Sequence, residues 1–95
     1  HTLVIPKKED DYIFNLDDDT NSGLMMTAKK IAAAIKESTN CKRVGVTVLG
    51  MEVPHVHIHL VPMNSEKDML FSNPKMELSK EEFEAIAADI AKRVK

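Results

Sequence analysis

Three of the chain's four histidines fall in one stretch, His55-Val56-His57-Ile58-His59-Leu60-Val61-Pro62. They sit at i, i+2 and i+4, with an aliphatic residue in each gap. Imidazole titrates near neutral pH, so each ring can attack, donate a proton or accept one there. On a β-strand, alternate side chains point to opposite faces. That geometry predicts His55, His57 and His59 in a row on one face, with Val56, Ile58 and Leu60 on the other. A helix would scatter the same residues, so the strand is the preferred reading. Pro62 has no N–H for a ladder and is expected to close the strand.

Three chemistries compete for such a row. In the first, a neutral imidazole attacks phosphorus while its neighbours donate to the phosphoryl oxygens. In the second, the histidines bind zinc or another transition metal, for which His-x-His on a strand is a familiar spacing. The outer two are about 14 Å apart at Cα, so a metal would need a ligand from elsewhere. In the third, the rings are structural, and each buried one then needs a hydrogen-bond partner.

The elements that hold this row read as follows. Residues 2–5 form a short strand stopped by Pro6. Tyr12-Ile13-Phe14 is one helical turn or a loop tucked onto the core. Asp17, Asp18, Asp19 and Thr20 are helix-start residues by type, capping the N-terminus and matching its dipole. The helix should run to about Ser38. Leu24, Ala28, Ile31 and Ile35 make its apolar stripe, widened by Met25, Ala32 and Ala33. Lys42 to Leu49 alternates as a strand, with Val44, Val46 and Val48 on one face. It pairs with the histidine strand as an antiparallel hairpin over residues 43–61. Asn64 to Lys75 reads as a surface loop whose Met69-Leu70-Phe71 triplet packs down. Ser79-Lys80-Glu81-Glu82 is a capping box. Phe83, Ile86, Ala87, Ile90 and Val94 continue it as an amphipathic helix. The fold class is α+β: an antiparallel sheet with a long helix and a C-terminal helix packed on it.

Composition narrows the function classes. The chain has 95 residues, enough for one small domain. A net charge of −2 gives no broad nucleic-acid footprint. No apolar run approaches the length of a membrane span. Cys41 is the only cysteine, which excludes an internal disulfide and fits a reducing, cytoplasmic setting. The chain opens on His1 and enters an apolar run at once, as an interior strand of a larger domain would.

His55-Val56-His57-Ile58-His59-Leu60-Val61 resembles the His-φ-His-φ-His-φ-φ signature of the histidine triad (HIT) family, φ being hydrophobic. His1-Thr2-Leu3-Val4-Ile5-Pro6-Lys7 is similar to a second family strand. The resemblance implies a single HIT-like domain over residues 1–95 that lacks the family's N-terminal segment. It implies nucleotide phosphoramidase or nucleotidyl hydrolase activity through a covalent nucleotidyl-histidine, on a purine nucleoside phosphate. His57 matches the nucleophile. His55, His59 and His1 match substrate-binding positions, and Glu52 and Val53 fall in the adjoining phosphate-binding stretch. Many members carry Gly-Gln-Ser/Thr-Val there, where this chain has Gly50-Met51-Glu52-Val53. The resemblance also implies a homodimer with no metal, no other cofactor, no nucleic-acid polymer and no membrane among its partners. The alternative is a non-catalytic nucleotide- or metal-binding module built on the same strand.

Overall fold

The computed structural model describes residues 1–51, 53–70 and 78–94. Glu52 and Phe71 lie outside the described residues. Three strands form one antiparallel sheet: β1 (Thr2–Val4), β2 (Arg43–Thr47) and β3 (Ile58–Met63). Their order is β1-β3-β2, so the strand that follows the histidine stretch is central. Leu3 pairs with His59 on one side, and Thr47 pairs with His59 on the other.

Two expectations about this strand need correction. It begins at Ile58, so of the three histidines only His59 is in β3. His55 and His57 precede the ladder, because β1 has ended at Val4, opposite Ile58, and β2 has ended at Thr47, opposite His59. Their alternation survives without it: Val56 and Ile58 are buried, while His55 and His57 are only half-buried. Pro62 does not close the strand, which runs on to Met63. It pairs with Val44 beyond the end of β1, so its missing N–H costs no hydrogen bond to that strand.

A 22-residue helix, α1 (Asp18–Thr39), covers one face of the sheet. Asp17 caps it, accepting the Thr20 backbone N–H at 3.1 Å and the Thr20 hydroxyl at 2.6 Å. It ends at Asn40, whose φ of 55° is the left-handed conformation that asparagine tolerates. Leu24, Ala28 and Ile35 are buried, as the stripe predicts. Ala32 packs against the core as expected and Ala34 is buried as well, whereas Ala33 and Met25 are exposed. These side chains meet Val4, Leu16, Val56, Ile58 and Leu60 in one core.

The C-terminal helix, α2 (Lys80–Arg93), carries the expected capping box between Ser79 and Glu82. It docks on the end of α1. Ser38 donates to Asp89, and Arg93 bridges Asp89 at 3.1 Å and Glu37 at 2.8 Å. Ile90 reaches the core, while Phe83 and Ile86 stand exposed. A 3-10 turn (Glu66–Met69) with its own capping box at Ser65 interrupts the predicted loop. Of the apolar triplet, Met69 packs down and Leu70 is exposed.

At Gly45 the strand is covered by two methionine side chains. A Cβ there would stand 2.2 Å from Met63 Sδ and 2.5 Å from Met69 Cε. Gly45→Val should therefore lower stability by about 1–3 kcal/mol, through displaced thioethers, despite its better strand propensity. A urea melt checks this.

The α1 cap also has a pH signature. The two Thr20 donors, helped by Lys8 at 3.2 Å, hold the Asp17 carboxyl at about 2, below its ordinary 3.8. A carboxyl lowered on folding contributes stability that is complete above its unfolded value and is lost as pH falls through its folded one. Asp17→Ala should lower Tm by a few degrees at pH 7, and the gap should narrow between pH 4 and 2. Thermal melts across that range test it.

Candidate active site

The histidine face of the sheet is opposite the α1 face. Val56, Ile58 and Leu60 anchor the chain on the core side, which leaves the intervening imidazoles on the other. A strap over residues 6–12 holds the segment before β3. The Val56 N–H donates to Asp10 O at 2.7 Å, and the His55 N–H donates to Val53 O at 2.8 Å.

Two backbone carbonyls fix two ring tautomers. His55 Nε2 lies 2.9 Å from Pro6 O, and His57 Nδ1 lies 2.8 Å from His55 O. A carbonyl only accepts, so each of these nitrogens carries its hydrogen. In neutral His57 the proton is therefore on Nδ1, and Nε2 holds the lone pair. A lone pair on a ring gripped from its far side is what a nucleophile requires.

His57, His59 and His1 form one cluster of rings. The His57 and His59 centroids are 4.7 Å apart, and those of His59 and His1 are 5.0 Å apart. His1 Nε2 lies 2.7 Å from His59 Nδ1. Burial, and then the neighbouring His57, lower the His59 pKa from its ordinary imidazole value, which favours its neutral form. His55 turns its ring toward Pro6 and joins the others through its carbonyl. Val53 is exposed and contributes its carbonyl to the same segment.

The sequence carried no signal for the carbonyls of Pro6 and Asp10 as site components, since any residue offers one. Among the described residues, no group of three or more His, Cys, Asp or Glu is placed to hold a metal ion. No helix among them is long and apolar enough to cross a membrane.

Residues 1–66 match the HIT domain family. The chain belongs to the HIT family. It is 30% identical over 97 residues to the adenosine 5'-monophosphoramidase of Schizosaccharomyces pombe, covering all of this chain and 73% of that one. It is 29% identical over 102 residues to an uncharacterized HIT-like protein of Borreliella burgdorferi, covering 99% and 73%. Among solved structures, a HIT protein of Sinorhizobium meliloti superposes with a TM-score of 0.80 at 23% identity, covering 96% of this chain and 72% of that one. That likeness extends the α+β fold of the HIT family to this chain.

Proposed function

We propose that this HIT chain hydrolyses a nucleoside phosphate joined to an amine or another phosphate, through a nucleotidyl group held on His57. The observation that carries the reading is the His57 Nδ1 contact with His55 O, which leaves Nε2 as the attacking lone pair. The similarity to an adenosine 5'-monophosphoramidase supports the substrate class.

In the first step His57 Nε2 bonds to phosphorus. The bond from phosphorus to the leaving group breaks, and the leaving group takes that electron pair and picks up a proton. In the second step water replaces the imidazole on phosphorus and loses a proton. The products are the nucleoside monophosphate and a restored His57. Splitting one displacement into two lowers each barrier. Donors beside His57 stabilise the oxygens as charge builds. His59 is assigned to contact the phosphate and His55, whose ring hydrogen goes to the Pro6 carbonyl, to orient His57 through its own carbonyl, with Val53 and Glu52 in the adjoining segment. No metal or other cofactor enters these steps.

A cytoplasmic homodimer is part of the proposal. The exposed Val46 on edge strand β2 offers a surface on which a second copy could continue the sheet. The functional test is turnover of adenosine phosphoramidate. Hydrolysis well above the buffer rate supports the reading, and a rate equal to buffer contradicts it.

A further inference from the structure

We infer that Asp10 is a positioning residue: its side chain shapes the strap so that its own carbonyl clamps the peptide unit between His55 and Val56, and that unit holds the ring of His57. This rests on the phosphorus-chemistry reading above and adds to it a side chain that lies outside the histidine stretch.

One planar group transmits the effect. The His55 carbonyl and the Val56 N–H belong to the same trans peptide unit, in which they point in opposite directions. The Val56 N–H donates to Asp10 O at 2.7 Å, and the His55 carbonyl accepts from His57 Nδ1 at 2.8 Å. The unit is gripped by its N–H, and its oxygen is thereby aimed at the ring. Rotating the plane would carry that oxygen away from Nδ1 and release the imidazole. The sheet does not supply the restraint, because β3 starts only at Ile58. Asp10 O supplies it from the strap.

The Asp10 carboxylate sets where that carbonyl points. Its Oδ1 accepts the Tyr12 backbone N–H at 3.1 Å and the Asn15 side-chain amide at 3.4 Å. The first bond closes an Asx turn, which fixes the backbone at Asp10. The second ties the bend to the 3-10 turn Ile13–Asn15. That turn is seated on the core: Ile13 packs against it, and Leu16, which ends the turn, is buried. A continuous set of contacts thus leads from the core through Asp10 to the ring assigned to attack phosphorus. A turn residue with a local role alone would need no particular direction for its carbonyl. Here the carbonyl takes its hydrogen from the residue between two of the histidines.

The test uses Asp10→Ala, which removes the accepting oxygen, and Asp10→Asn, whose side-chain oxygen accepts the same two hydrogens without the charge. In the 13C,15N-labelled wild type we expect a through-hydrogen-bond scalar coupling between the Val56 nitrogen and the Asp10 carbonyl carbon. Two-bond 1H–15N correlation spectra should show His57 with its hydrogen on Nδ1. Asp10→Asn should keep both signatures. Asp10→Ala should lose the coupling and let His57 populate both tautomers. In parallel, kcat for adenosine phosphoramidate should fall about 10–100-fold in Asp10→Ala, with KM moved less than about threefold, and should stay near the wild-type rate in Asp10→Asn. A wild type without the Val56–Asp10 coupling overturns the inference, and that result needs no variant to fold. So does an Asp10→Ala chain whose coupling and His57 tautomer match the wild type. So does an Asp10→Asn chain that behaves as Asp10→Ala does. The spectra do not depend on turnover. Signatures that are present in the wild type and lost in Asp10→Ala, in a chain that hydrolyses nothing, would overturn the phosphorus reading while supporting the Asp10 assignment.

Discussion

Replacing His57 by alanine should lower the turnover of adenosine phosphoramidate by about 10³-fold or more, because it deletes the proposed attacking atom. Substrate affinity should change far less, since the flanking histidines remain. Tm should move by only a few degrees, because the His57 side chain is half-buried and its ring bond is to one carbonyl. The pairing of a large loss in kcat with a small loss in stability separates a chemical role from a structural one. Steady-state kinetics and a thermal melt on the same preparation make the comparison. A variant with unchanged kcat would remove His57 from the chemistry.

The largest stability effect should come from the other face of the same segment. Ile58 is fully buried and starts the central strand, among the side chains of α1 and the flanking strands. Ile58→Ala should cost about 2–5 kcal/mol, combining lost transfer energy with a cavity that the sheet cannot close. A domain of this size has about 5–15 kcal/mol in total, so the variant should lose much of its margin. Urea unfolding should show a lower midpoint with a similar slope. It should also weaken activity at raised temperature, because Ile58 lies between His57 and His59 and sets their backbone. A midpoint unchanged within error would mean that the core is not centred here.

Features that depend on near neighbours were legible in the sequence. Asp17 and Ser79 cap their helices because the donors they satisfy lie three residues on. The alternation from His55 to Leu60 gave the two faces correctly, because the core side needs only Val56, Ile58 and Leu60 to be apolar. The strand limits were less legible. They depend on where β1 and β2 run out, which no local pattern encodes, so His55 and His57 fell outside the ladder and Pro62 inside it. That Ala34 and not Ala33 is buried on α1 has no local signature, since alanine fits either side. The docking of α2 rests on Ser38–Asp89 and Glu37–Arg93, pairs more than fifty residues apart that look like ordinary surface polar residues. The site divides in the same way. The triad announces itself by type and spacing, and the family resemblance picked out His1. The carbonyls that set the tautomers of His55 and His57 have no sequence signature.

The central claim is that a nucleotidyl group rests on His57 during turnover. Its most direct test is mass spectrometry of the chain denatured in mild alkali while it is hydrolysing adenosine phosphoramidate, followed by digestion and fragmentation of the peptide containing residues 55–63. The account predicts a mass increase of one nucleotidyl group localised to His57 and absent from His57→Ala. Sustained turnover with that peptide unmodified, or with the group on a different residue, would contradict it.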